Sequence, residues 1–127
     1  MAVIETAVMD NLIASNSHPV TVQTCVIASG EGELTRGTVL MRKSNGKYVA
    51  AADDGATPPV KYGTCELVLA DDVDATSADA VARAYNSGEF NSRDIVAGTG
   101  YTLDADDIAD LKNAGIYLAT SVEVDPA

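Results

Sequence analysis

The chain has 127 residues, a formal charge of −11, a single Phe and no Trp. That length suits one domain with its own core, and a surface of that sign repels phosphate backbones and anionic lipid, which argues against nucleic-acid and membrane partners. No apolar run nears the ~18 residues of a membrane-spanning helix, and no charged n-region with an apolar h-region is read, so synthesis in a cytoplasm is the expectation.

The 46% hydrophobic content is weighted toward small side chains: twenty Ala and fourteen Val against eight Leu and six Ile. At about 25 cal/mol per Å² of buried apolar surface, such residues build a thin core, one that gains from oligomerisation. The acidity is uneven. Residues 1–63 carry five basic and six acidic groups, whereas residues 64–127 carry three and thirteen.

In chain order, residues 1–19 place Ile4, Val8 and Leu12 at i, i+4 spacing with Val3, Met9 and Ile13 off the stripe. The turn formers of "SNSHP" close the segment. It reads either as an arm that orders on contact or as a packed first element. Residues 20–28 are β-branched and suit a strand, broken by "SGEGEL". Residues 37–43 and 47–51 flank Asn45-Gly46, which predicts a two-residue hairpin of type I′. In that register Arg42 pairs with Val49 and Lys43 with Tyr48, so Arg42 and Lys43 point to opposite faces. Arg42, Lys43 and Lys47 then crowd one turn, either as a solvated tip or as a docking point for an acidic surface, such as the C-terminal half of a neighbouring subunit.

Residues 53–59 read as a loop, 62–70 as a largely buried strand and 71–79 as an acidic, turn-rich stretch. Residues 80–85 could be helical by propensity, but alternation and Gly88 favour a short strand. The firmest element is a helix near 104–114. Asp104 suits the N-cap, Leu103 and Ile108 a hydrophobic staple, Asp106 and Asp107 the first turn, Lys112 the last and Gly115 the left-handed stop. Ile108 and Leu111 are its expected buried face. Residues 116–124 return as a strand. The sum is six or seven short strands and one helix, a mainly β (α+β) domain.

Nothing supports an enzyme strongly. An EF-hand beginning at Asp72 would place Ser77 where Gly is needed and Arg83 where Glu is needed. Helix-start electrostatics accounts for Asp104, Asp106 and Asp107 without a ligand. The single His, His18, lacks a nucleophile motif around it, and no G-x-S-x-G, G-x-G-x-x-G or G-K-[ST] signature is present. Cys25 and Cys65 lie forty residues apart with no C-x-x-C, which reads as two free thiols in a reducing compartment, with a disulfide as the alternative. No metal, cofactor or small-molecule substrate is expected.

"LTRGTVLMRKSNGKYVAA", "VKYGTCELVLADDVDAT" and "AVARAYNSGEFN", in that order and spacing, resemble the head decoration proteins of tailed bacteriophages, the lambda head protein D type. The matching positions are Gly37, Leu40, Gly46, Lys47, Gly63, Asp71, Asp72, Ser87, Gly88 and Phe90, and the likeness spans roughly residues 20–120. It implies a small β-clip-like fold and a homotrimer on the outer surface of the expanded capsid at three-fold positions. It also implies an N-terminal arm, mobile in the free protein, that adds to a strand of the major capsid protein and helps staple the shell against DNA pressure. Residues 1–19 then form the capsid-binding arm, with Val3, Ile4, Val8, Met9, Leu12 and Ile13 as apolar anchors. Residues 20–127 form the decoration and trimerisation domain, and Arg42, Lys43 and Lys47 are its candidates for inter-subunit contact, the alternative being a solvated tip. Eighteen residues reach at most ~60 Å. The competing readings are a phage tail or spike module, a metal-dependent enzyme built on the acidic clusters, and a stand-alone binding domain.

Overall fold

The computed structural model describes residues 12–15, 20–98 and 100–119. Among these the chain forms nine strands: β1 (Ile13–Ser15), β2 (Thr21–Ile27), β3 (Gly32–Leu34), β4 (Val39–Arg42), β5 (Tyr48–Ala50), β6 (Thr64–Leu69), β7 (Val73–Ala75), β8 (Ala80–Asn91) and β9 (Ile116–Ala119). One helix, α1 (Ala105–Ala114), precedes β9. The mainly β reading with a single helix near 104–114 therefore holds.

The organising strand is β8. Its first half is flanked by β2 and β6, its second half by β1 and β9. Strand order β8–β2–β5–β4–β6 returns to β8, so the sheet closes on itself. Two deposits of apolar side chains lie on its two faces. One gathers Ile27, Leu40, Tyr48, Leu67, Leu69, Ala82 and Ala84. The other gathers Val39, Met41, Val68, Tyr85, Phe90, Leu111 and Ile116, covered by α1 and the 95–103 loop. Val39, Leu40 and Met41 of β4, and Leu67, Val68 and Leu69 of β6, alternate between the two cores. This is why those strands read as continuous apolar runs.

The long β8 corrects the expectation of a short strand ended by Gly88. Ala carries helical propensity, but Ala82 and Ala84 are buried in the closed sheet, where small side chains let neighbouring strands approach, and pairing on both edges overrides propensity. Gly88 lies within the strand at φ +142°. A Cβ there would meet Phe90 at 3.0 Å and Val20 at 3.2 Å, so the glycine marks close packing rather than a terminus.

Two further corrections concern local register and facing. The hairpin pairs Arg42 with Tyr48 and Met41 with Val49, one residue away from the expected register. Its turn has three residues, not two. Gly46 N–H donates to Lys43 O at 2.9 Å, Lys43 N–H to Lys47 O at 2.8 Å, and Gly46 sits at φ +86°. That is a turn closed by a left-handed glycine, the next most favoured hairpin after the primed two-residue loops. In α1, Leu111 is fully buried as expected, but Ile108 is 44% exposed and the buried residue of the first turn is Asp107. The small β3–β7 ribbon was not anticipated, because Gly-rich and Asp-rich segments carry little strand signal.

Candidate functional site

Three regions bear on what the domain can do: the root of the N-terminal segment, the hairpin tip, and the helix clamp beside them. At the root, Leu12 is 2% exposed within the core. Its carbonyl accepts the Asn91 N–H at 2.8 Å, and β1 then pairs antiparallel with β8, Ile13 opposite Phe90. On the other side of β8, Ala119 of β9 lies opposite Asn91. The two described chain ends thus flank one residue at the same end of the sheet, about two strand spacings or ~10 Å apart. Space for Leu12 is kept by Gly37, at φ +98°: a Cβ there would lie 2.9 Å from the Asp94 carbonyl and 3.6 Å from Leu12 Cδ1. Beside this end runs a shallow, mostly apolar groove of about 270 Å³ lined by Ser92, Ile95, Leu103, Ile108 and Leu118 among others.

Of the residues expected to form an arm, Leu12 and Ile13 are therefore placed within the domain. Val3, Ile4, Val8, Met9 and also His18 lie outside the described residues.

The hairpin tip does not present three free cations. Lys47 Nζ lies 2.6 Å from Asp79 Oδ2, an exposed pair. Asp79 also accepts the Ser29 N–H at 2.9 Å, and Lys47, then Ser29, hold its carboxyl below the usual range. Lys43 Nζ lies 6.0 Å from the Tyr62 ring centroid, within cation–π reach. Arg42 is exposed and has no ion-pair partner among the described residues. The hairpin is pressed backbone to backbone against the next strand, since a Cβ on Gly63 would fall 2.1 Å from the Arg42 carbonyl oxygen.

The acidic stretch 71–79 is dispersed into loop-fixing roles. Asp71 pairs with Arg83 Nε at 2.8 Å, Asp72 accepts the Arg36 N–H at 2.9 Å, and Asp74 accepts Thr76 N–H at 3.0 Å. Among the described residues no group of three or more His, Cys, Asp or Glu side chains could hold a metal ion. Arg36 itself lies over the Tyr85 ring at 5.3 Å and donates to the Tyr85 hydroxyl, covering the edge of the second core.

The helix clamp was legible only in part. Asp104 caps α1, accepting the Asp107 N–H at 2.9 Å, while Asp107 Oδ2 accepts the Asp104 N–H at 3.1 Å. Asp107 is 1% exposed and also accepts from the Tyr101 hydroxyl and from Lys61 Nζ at 3.0 Å. Lys61 lies 2.8 Å from Asp104 as well. This ties the 53–62 loop to the helix. Asp104 draws the Lys61 ammonium upward in pKa, and Lys61 in turn holds the Asp104 carboxyl down. Burial, then the nearby Asp107 charge, pushes the Cys65 thiol up to about 12. Cys25 is also buried and raised by burial. The two thiols belong to different cores and are free. The Asp104-x-x-Asp107 spacing was the available signal for the reciprocal cap; its burial under Lys61 and Tyr101 depends on tertiary contacts no spacing reveals.

A family model described as bacteriophage lambda head decoration protein D matches residues 2–116. No curated protein sequence matches the chain.

Proposed function

This chain belongs to the bacteriophage lambda head decoration protein D family, and from that premise we propose that it is a cementing protein of the phage head. Its structural role in the capsid follows from the family; the finer reading is a homotrimer seated at three-fold positions of the expanded shell, holding the major capsid subunits against internal DNA pressure. The observation that carries it is the match from residue 2 onward, which takes in the N-terminal segment as well as the β domain.

The arm of this reading is shorter than the sequence suggests. With Leu12 in the core, this reading assigns the capsid contact to residues 2–11, and ten extended residues reach at most ~36 Å. Val3, Ile4, Val8 and Met9 are its apolar contacts. Strand addition to a capsid sheet supplies main-chain hydrogen bonds, and these side chains supply pockets with anchors. The apolar groove beside the root widens the capsid-facing end. Repetition over a lattice converts modest contacts into retention through effective concentration. A shell built from copies of charge −11 presents an exterior that stays soluble. No catalysis or cofactor is part of the role.

Sedimentation with purified particles tests the assignment. The protein should travel with expanded heads and leave tails and unexpanded shells unoccupied. Co-sedimentation with tails alone would make it a tail module instead.

A further inference from the structure

The groove beside the chain ends is the outer skin of one core. Ile95, Ala97, Tyr101, Leu103 and Leu118 line it, and all five are half-buried against the cluster that holds Leu12. Ile108, 44% exposed, and Leu118 also wall a second groove of about 260 Å³ with Lys112, Ile116 and Tyr117. The two grooves thus run on as one surface along α1 and β9. Among the described residues the lining of the first carries no charged side chain, and that of the second carries only Lys112. Lys112 has no ion-pair partner among the described residues. In a chain of charge −11, a surface lined by one lysine and no carboxylate suits an occupant that is apolar and acidic.

We propose that residues 4–9 of the same chain occupy this groove in the free protein, docked as a short helical stretch. The chain itself delivers the occupant. Leu12 is held in the core beside Asn91, and Ser92, the next residue, lines the groove, so residue 11 stands at its mouth. Ile4, Val8 and Leu12 share one helical stripe. With Leu12 seated, a rise of 1.5 Å per residue puts Val8 ~6 Å and Ile4 ~12 Å farther on. From β1 across β8 to Leu118 of β9 is two strand spacings, ~10 Å. Val8 therefore falls over Ser92 and Ile95, and Ile4 reaches the wall formed by Ile108 and Leu118. Glu5, next to Ile4, comes within reach of Lys112. Val3 and Met9 lie off the stripe and stay outside. A helix this short is marginal in water and forms only against a surface, so the docking is weak and reversible. In an extended strand the same segment sorts differently, with Val3 and Met9 on one face and Ile4 and Val8 on the other. Docking in the groove and addition to a capsid strand thus use one segment in two conformations and exclude each other. The docking concerns the free chain and stands without the capsid reading; the competition rests on that reading.

The test uses the full-length free protein, by amide hydrogen exchange and methyl NMR. Amides of residues 4–9 should exchange about tenfold slower in the wild-type chain than in Ile108→Lys, a protection at the low end of local stability. The double substitution Ile4→Ser with Val8→Ser alters none of the described residues. It should remove the same protection and shift the methyl signals of Ile108 and Leu118, leaving those of buried Val68 in place. Exchange of residues 4–9 in the wild-type chain at the rate of an unstructured peptide overturns the proposal. So do Ile108 and Leu118 methyls that ignore the double substitution, which assigns the groove to residues 120–127 or to a partner. Protection that fades on dilution overturns it too, since the occupant is then a neighbouring copy's segment. Expanded heads test the competition separately. Ile108→Lys should bind them several-fold more tightly than the wild-type chain, because its arm has no groove to leave; equal affinity overturns the competition. A wild-type chain that binds no heads counts against the capsid reading and leaves the docking measured in the free protein standing.

Discussion

Removing the buried carboxylate by Asp107→Ala should cost about 2–3 kcal/mol of folding stability. Three contacts are lost together. The Tyr101 hydroxyl and the Asp104 N–H each lose an acceptor, at about 1 kcal/mol apiece. The third is Lys61, and here the structure moderates the loss. Stranding a buried charge ordinarily costs 3–5 kcal/mol, but the Lys61 side chain is 30% exposed and keeps Asp104 at 2.8 Å, so its share is nearer about 1 kcal/mol. For a domain of this size each kcal/mol moves the melting temperature by about 3–5 °C, which places the variant roughly 6–15 °C below wild type. Calorimetry and urea titration at pH 7 would measure it. Lys61→Met should cost at least as much, because it leaves the Asp107 carboxyl, at 1% exposure, without its cation, and the double variant should cost less than the sum. An Asp107→Ala variant within about 0.5 kcal/mol of wild type would refute the claim that this network clamps the helix to the 53–62 loop.

The two thiols should resist a thiol reagent at pH 8 in the folded protein and react at the unfolding rate in denaturant. Since burial raises Cys65 to about 12, the stability tied to it is present below the unfolded thiol value near 9 and is lost as pH rises from there toward 12. Gly63→Ala should destabilise by at least about 2–3 kcal/mol, because its methyl would fall on the Arg42 carbonyl; urea titration reads this directly. Changing Arg42, Lys43 and Lys47 together to Ser should leave stability within about 1 kcal/mol, as exposed pairs contribute little. A salt-dependent loss of assembly in that triple variant would show that the tip meets an acidic neighbour; unchanged assembly would leave Lys47–Asp79 as an internal contact only.

Much of the fold was legible because its signals are local. Asp104, Lys112 and Gly115 mark both ends of α1 by capping chemistry alone. The β-branched runs in β2 and β6 stand out by side-chain type. What escaped depends on partners distant in sequence. The length of β8 rests on β2, β6, β1 and β9 pairing with it in turn, and an Ala-rich strand announces none of them. The hairpin register slipped by one because Asn45-Gly46 is compatible with both a two-residue and a three-residue turn. Pairing of β4 with β6 on its other edge accompanies the latter. Ile108 and Asp107 exchanged their expected environments because Lys61 and Tyr101 offer Asp107 a charged and hydrogen-bonded seat. At the candidate site, the apolar spacing of Ile4, Val8 and Leu12 identified the segment but could not show that Leu12 belongs to the domain.

The central claim is that residues 2–11 hold the protein to the head while the rest folds without them. Binding of the full chain and of a chain lacking residues 2–11 to expanded heads, measured side by side with the thermal unfolding of each, tests it most directly. The shortened chain should unfold within a few degrees of wild type, since Leu12 and all of β1 remain, and should no longer sediment with heads. Retention of wild-type head affinity by the shortened chain would contradict the account.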